Sequence, residues 1–277
     1  MQKVQAEGYQ VAPFPIMRRF AVDSARLSSK RNYMVGLLEF DVTRPRRAIE
    51  AYKAATGQTL SFTGFIVHCL ANAIEHHKQV QAIPDWRGRL VIFDDVNITV
   101  LIEVGTEHGK IPIPYLLRRA NCKSVKEIHD EIRACQKKPE GMKEVRFMRY
   151  FLYLPWIIRH MFYNTVLKHP IRSRNIVCPV IVTAVGMFSK AGGWGIPAGN
   201  FSLAVTLGGI SSKPGVVREC IEIREHLCVT VSIDHQVLDG APATRFIQEF
   251  RELVEQGCGL EEELPVSILQ QVARLNC

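Results

Sequence analysis

The chain has 277 residues, of which 47% are hydrophobic and 22% are charged, and its formal net charge is +8. These values are typical of a globular protein with a substantial core. The sequence has no uncharged apolar run of 18 residues, so we expect no membrane-spanning helix. The eight cysteines include no CxxC pair, so we expect no disulfide framework, no metal site, and a reducing compartment, the cytoplasm. The positive charge is not accompanied by a nucleic-acid-binding motif, and we expect no nucleic-acid partner.

Strand patterns recur along the chain after residues 1–12, which we interpret as a loose N-terminal leader. They lie at residues 34–42, 90–93, 97–104, 177–185, 201–207, 216–223 and 227–233. The last two flank Arg224 and Glu225, and this arrangement predicts a hairpin with its turn at those residues.

Helix patterns lie between the strands. Thr43 is predicted to cap a helix that Gly57 ends, and apolar residues at helical spacing predict a core helix within residues 60–82. Ser124 and Glu127, three residues apart, form a capping-box pattern at the start of another helix. The mixture of strands and helices indicates an α/β fold.

The stretch from His235 to Gly240 is the most informative part of the chain. It follows a strand pattern and opens a helix pattern, so the histidine lies at a strand end. Imidazole has an ordinary pKa of about 6.5, which suits a general base near neutral pH. Asp239 stands four residues after His235, and Gly240 is expected to permit a tight turn. Spacing alone also fits a surface histidine or a structural one.

The segment at residues 234–250 closely resembles the HRxxDG segment of the dihydrolipoamide acyltransferase family, the acyltransferase cores of 2-oxoacid dehydrogenase complexes. Other blocks resemble that family in the same order, at residues 17–20, 60–82, 95–114, 123–128 and 182–188. The resemblance implies a chloramphenicol acetyltransferase-like two-layer α/β sandwich with a mixed sheet. It also implies one catalytic domain over residues 13–277 and a homotrimer with active sites between subunits.

The same resemblance implies acyl transfer between coenzyme A, as a thioester, and a thiol acceptor such as a lipoyl group. His235 matches the family's general base. Asp239 matches a residue that orients the histidine loop, and we expect it to be buried, with Arg18 as a candidate ion-pair partner. Thr183 matches the family's oxyanion-stabilising serine, and Ser189 is the nearby alternative.

The sequence also departs from the family pattern. Gln236 stands where the family has arginine, and Ala184 stands where it has asparagine or serine. We find no lipoyl domain with its modified lysine, so the acceptor would belong to a separate lipoyl-bearing protein. Trimers of this family can form a higher-order cage. A small-molecule O- or N-acyltransferase and a non-catalytic oligomeric scaffold are alternative functions of the same fold.

Residues 139–176 form an atypical insert, because complex-forming family members have a short polar linker there. Residues 147–169 are aromatic, apolar and basic. We expect them to bury their aromatic face against protein, in the core or at an interface. The alternative is weak contact with a membrane surface, where basic and aromatic residues are favoured. The apolar run between Arg149 and Arg159 is too short to span a bilayer.

Overall fold

The structure, a computed structural model, describes residues 5–6, 9–10, 14, 16, 18–29, 31–106, 109–137, 150–173, 178–186 and 192–263. Its helices are α1 (Arg18–Ser28), α2 (Thr43–Thr56), α3 (Phe62–His76), α4 (Val125–Lys137), α5 (Trp156–Lys168) and α6 (Gly240–Gln256). Its strands are β1 (Gln5–Ala6), β2 (Tyr9–Gln10), β3 (Tyr33–Asp41), β4 (Ile83–Pro84), β5 (Leu90–Val91), β6 (Ile98–Thr106), β7 (Gly109–Leu117), β8 (Val180–Ala184), β9 (Leu203–Val217) and β10 (Cys220–Asp234). In these regions no helix is long and apolar enough to cross a membrane.

Six strands form one mixed sheet in the order β3-β10-β9-β8-β6-β7. The pairs β3/β10, β10/β9 and β6/β7 are antiparallel, whereas β9/β8 and β8/β6 are parallel. Helix α3 packs against α4 and α6, and α6 also contacts α2 and β3. A mixed sheet with a helix layer confirms the α/β class predicted from the sequence. The predicted leader contains the separate two-stranded ladder of β1 and β2.

The two faces of the sheet differ because successive side chains point to opposite faces. Alternate residues of β8, β9 and β10 join the core under the helix layer, among them Val182, Val205 and Val229. The residues between them, including Thr183, Thr206 and Thr230, point to the other face, which we call the far face. Thr183 pairs with Thr206, and Thr206 pairs with Thr230. A row of three hydroxyl residues therefore crosses three adjacent strands.

The predicted hairpin turn at Arg224 and Glu225 is wrong. Strands β9 and β10 are each 15 residues long, and pairing continues through both residues. The turn lies at Arg218 and Glu219, whose φ values of 46° and 69° are both left-handed. Two left-handed residues match the twist of a two-residue hairpin. Arg224 instead donates from Nε to Asp41 at 2.8 Å, inside the sheet.

The start of α2 also differs from the sequence prediction. Thr43 is the first helical residue rather than the cap, and its backbone N and hydroxyl both donate to Asp41 Oδ1, at 3.0 and 2.6 Å. The Thr43 hydroxyl accepts a hydrogen bond from Glu225 N at 2.8 Å. Partial burial would raise the pKa of Asp41, but the hydrogen bonds from Thr43 and Arg224 outweigh it and lower that pKa.

Two other predicted helix boundaries are confirmed. Gly57 follows α2 with a left-handed φ of 69°, and its N–H donates to Lys53 O at 2.9 Å. Ser124 N donates to the Glu127 carboxylate at 2.8 Å, and Glu127 N donates to the Ser124 hydroxyl at 3.2 Å. This reciprocal pair is the predicted capping box.

The insert buries only part of its aromatic surface, as far as residues 150–173 are described. Phe151 is buried and packs against Phe162 and Tyr163, with ring centroids 4.9 and 5.4 Å away, whereas Tyr150, Tyr153 and Trp156 are exposed. The reason is that α5 turns a charged side chain inward, as described below. Residues 139–149 and 174–176 of the predicted insert lie outside the described residues.

Candidate active site

His235 lies directly after β10, in the loop that leads into α6. Its backbone N donates to Asn32 O at 2.8 Å, and its side chain is 55% exposed. Val237 and Leu238 of the same loop are buried in the core. The loop therefore holds the His235 backbone in place while its imidazole faces outward. A general base needs both a fixed position and access to substrate.

Asp234 organises this loop, although the sequence analysis gave it no role. The residue is fully buried, and its carboxylate forms an ion pair with Arg31 and accepts from Gln236 N at 3.1 Å. Its backbone carbonyl accepts from Val237 N at 2.9 Å. Arg31 Nε also donates to Asn200 Oδ1 at 2.5 Å. A buried acid requires a partner. The signal in the sequence was an aspartate at the end of an apolar strand pattern.

Tyr33 extends the network around Asp234. Its hydroxyl donates to Gly199 O at 2.7 Å and accepts from Phe201 N at 3.1 Å. Burial raises the pKa of the Tyr33 phenol, against the opposing effects of the Phe201 hydrogen bond and of Arg31. The neutral phenol therefore joins the start of β3 to residues 199–201 beside the histidine loop.

Asp239 is not buried, contrary to the expectation for an orienting carboxylate. Its side chain is 85% exposed, and its Oδ1 lies 3.8 Å from His235 Nδ1, which is too long for a hydrogen bond. Among the described residues it forms no ion pair with Arg18, and Arg31 with Asp234 is the buried pair of the loop. An acid near Nδ1 favours the tautomer with its proton on Nδ1, which leaves Nε2 as the basic atom.

Gln236 and Gly240 are the two other residues of the motif that the sequence singles out. Gln236, which replaces the family's arginine, has an exposed side chain. Gly240 is the first residue of α6, its φ is not positive, and a Cβ added there would meet nothing within 4 Å. Gly240 was expected to permit a tight turn, but the backbone at this position does not depend on glycine.

Thr183 lies far from His235 within one chain. It pairs through Thr206 with Thr230, which is two strands across the sheet and five residues before His235. Strand rise and spacing place the Thr183 and His235 Cα atoms about 19 Å apart. The chain by itself does not bring these predicted site residues together. The alternative, Ser189, lies outside the described residues.

The far face beside Thr183 is covered by residues 192–200. Gly193 O accepts from Gly209 N at 3.0 Å, and a Cβ at Gly195 would lie 3.1 Å from the Thr206 methyl carbon. The hydroxyls of Thr206, Thr230 and Ser232 are buried beneath and beside this segment and make no hydrogen bond within the described part of the chain. Hydroxyl groups thus line the far face from β8 to β10.

The sequence of the chain matches a known protein family. The model of the 2-oxoacid dehydrogenases acyltransferase (catalytic domain) family matches residues 7–143 and 180–260 and leaves 144–179 unmatched. Compared with curated proteins by sequence, the chain has no significant match.

Several solved structures share the fold. A probable dihydrolipoamide acetyltransferase from Listeria monocytogenes is 20% identical, with a TM-score of 0.69 over 91% of this chain and 96% of that chain. The Azotobacter vinelandii dihydrolipoamide acetyltransferase is 15% identical, with a TM-score of 0.69 over 92% and 96%. A truncated catalytic core of the 2-oxoacid dehydrogenase multienzyme complex from Thermoplasma acidophilum is 21% identical, with a TM-score of 0.64 over 90% and 100%. The chain belongs to the 2-oxoacid dehydrogenase acyltransferase catalytic-domain family and is an acyltransferase.

Proposed function

We propose that the protein transfers an acyl group between coenzyme A and a thiol acceptor, such as a lipoyl group on a separate protein, with His235 as general base. The observation that carries this proposal is the exposed imidazole held by its backbone at the end of β10. The Azotobacter vinelandii enzyme was investigated for the catalytic role of a serine, a histidine and an asparagine four residues after that histidine. His235 and Asp239 have the same spacing.

The chemistry needs a base because a thiol with a pKa of about 8.5 is only slightly ionised at neutral pH. His235 Nε2 removes the thiol proton as sulfur attacks the thioester carbonyl, and a tetrahedral oxyanion forms. The oxyanion collapses, the carbon–sulfur bond of the original thioester breaks, and the leaving thiolate takes the proton back from the imidazolium. A positioned base typically contributes about 10²–10⁴-fold to such a step.

The oxyanion needs a donor, and we assign this role to Thr183 of a neighbouring subunit. About 19 Å separates Thr183 from His235 within one chain, so a site containing both residues requires two chains. A head-to-tail ring closed by threefold symmetry gives three identical sites of this kind. The Thermoplasma acidophilum structure of this fold is the core of a multienzyme complex. We therefore propose that trimers can assemble further, which native mass spectrometry would detect.

The test of the base is His235→Ala, with Gln236→Ala as a control at the exposed neighbouring residue. We expect His235→Ala to reduce acetyl transfer from acetyl-coenzyme A to dihydrolipoamide at least about 100-fold. Because His235 is half exposed, the free energy of unfolding should change by less than about 0.5 kcal/mol. Near-normal turnover of His235→Ala would show that the assigned base is wrong. Turnover with an amine or hydroxyl acceptor, but not with dihydrolipoamide, would favour a small-molecule acyltransferase.

The shared site is tested by mixing chains that carry His235→Ala with chains that carry Thr183→Ala. After joint unfolding and reassembly in equal amounts, about a quarter of the interfaces should join an intact His235 to an intact Thr183. Activity should therefore recover to about a quarter of the wild-type value, provided that Thr183→Ala alone costs about 100-fold. Mixed assemblies that show no recovery would exclude Thr183 from a shared site.

A further inference from the structure

Helix α5 differs from an ordinary surface helix, because its one buried residue is charged and several of its apolar residues are exposed. Its one buried residue is Arg159, which is 5% exposed. By contrast, Trp156, Ile157 and Met161 are 56%, 55% and 64% exposed. A helix of a globular protein normally turns its apolar residues towards the core. This helix therefore presents an apolar surface to its surroundings.

The Arg159 side chain fixes α5 to α1. Its Nε and Nη2 donate to the two carboxylate oxygens of Asp23, at 2.7 and 3.1 Å. Its Nη1 donates to Leu154 O at 2.6 Å, and Arg19 Nη1 donates to Leu152 O at 3.1 Å. The buried ion pair and the hydrogen bonds to backbone carbonyls hold α5 in one orientation against α1. The outward apolar side chains are thus held on a fixed support.

We define the insert patch by the exposed apolar residues of this region, Tyr150, Tyr153, Leu154, Trp156, Ile157, Ile158 and Met161. These seven residues lie within twelve positions of the chain, and such a concentration of exposed apolar side chains marks a candidate contact surface. Arg26 of α1 lies 6.0 Å from the Trp156 ring. Two clefts of about 400 and 460 Å³ beside the patch are both lined by Arg26 and Trp156.

The exposed charged residues of α1 and α5 are all basic, and the one acid there, Asp23, is buried and paired with Arg159. Residues 145–218 contain nine Lys and Arg residues and no Asp or Glu. In the described part of this stretch, Lys168 at the end of α5 and Arg172 just after it are exposed, and Arg26 of α1 is exposed beside Trp156. A partner that covers both the apolar and the basic groups must carry negative charge beside an apolar layer. The surface of a bilayer with anionic lipids has this composition.

We propose that the insert patch docks the enzyme onto the surface of a membrane that contains anionic phospholipids. Trp and Tyr side chains favour the boundary between headgroups and acyl chains, and basic side chains bind the headgroups. Helix α5 is 13 residues long, so it lies along the surface rather than across the bilayer. Contact between the patches of two copies would bring like charges together. The family model leaves residues 144–179 unmatched, so the patch is an addition to the shared catalytic fold.

The test is flotation of the full chain with phosphatidylcholine vesicles and with vesicles that contain about 30% phosphatidylglycerol. We expect binding to the anionic vesicles and little to the neutral ones. Trp156→Ser with Met161→Ser should weaken binding at least about 30-fold, because these side chains supply much of the apolar area. Lys168→Gln with Arg172→Gln should weaken it about 25-fold, from about five-fold per basic residue.

A control variant changes exposed apolar residues elsewhere in the chain. Val216→Ser with Ile221→Ser removes apolar side chains, each 78% exposed, from the β9–β10 hairpin, and it should leave vesicle binding unchanged. Every variant should keep its acyl-transfer activity in solution, which separates this proposal from that for the active site. The proposal is overturned if the wild-type chain does not bind anionic vesicles or if control and patch variants bind equally. Loss of oligomers in Trp156→Ser with Met161→Ser, without any change in vesicle binding, would instead assign the patch to a subunit interface.

Discussion

Asp234→Asn should destabilise the protein far more than Asp239→Asn, although both residues flank the candidate base. Asp234 is fully buried and pairs with Arg31, which is only 12% exposed. The asparagine keeps an oxygen for Gln236 N but leaves the Arg31 charge without its counterion. Loss of one partner of a buried ion pair costs about 3–5 kcal/mol. We expect about 3 kcal/mol, the lower end, because Arg31 also donates to Asn200.

Asp239→Asn is the matched control. Its carboxylate is 85% exposed and 3.8 Å from the His235 ring, so the free energy of unfolding should change by less than about 0.5 kcal/mol. Asp234→Asn should also lose acyl-transfer activity through displacement of the loop, whereas Asp239→Asn should keep most of it, because the Azotobacter vinelandii enzyme has an asparagine at the corresponding spacing.

The measurement is urea unfolding followed by tryptophan fluorescence, at one protein concentration because oligomerisation affects apparent stability. A second comparison adds Arg31→Gln to Asp234→Asn. Since the uncompensated charge is then gone, the double variant should be less destabilised than the sum of the single variants. If Asp234→Asn unfolds within about 1 kcal/mol of the wild type, the ion pair does not hold the histidine loop as we infer.

The remaining predictions concern pH, backbone conformation and the insert. Because the pKa of Asp41 is lowered in the folded state, its carboxylate stabilises the fold fully above the unfolded pKa of about 4. This contribution to the free energy of unfolding is lost as pH falls through the lowered pKa. Asp41→Asn should therefore lose less stability than the wild type between neutral and acid pH, as measured by urea unfolding. Gly257→Ala, at a φ of 80°, should cost about 1 kcal/mol, whereas Gly240→Ala should leave stability unchanged, and equal effects would contradict the structure. Asp23→Asn should expose the α1–α5 junction to proteolysis because Arg159 loses its buried partner, and unaltered cleavage would argue against that anchor.

The sequence by itself determined the local elements and the position of the candidate base. The capping box at Ser124, the end of α2 at Gly57 and helix α6 all depend on residues within a few positions of one another. Such elements can be predicted from sequence because the periodicities of helices and strands are local properties of the chain. The family motif around His235 is contiguous, so it too could be read without knowing what lies across the fold.

Only the tertiary structure decided which distant groups meet. Asp234 pairs with a residue 203 positions away, and Arg159 with one 136 positions away, separations at which neither periodicity nor motif carries information. The same limit explains why Asp239 was expected to be buried and why Thr183 could not be placed relative to His235. An aromatic, basic segment is compatible with burial or exposure until the inward side is known. Here Arg159 of α5 is buried because its guanidinium pairs with Asp23, and Trp156, Ile157 and Met161 are exposed.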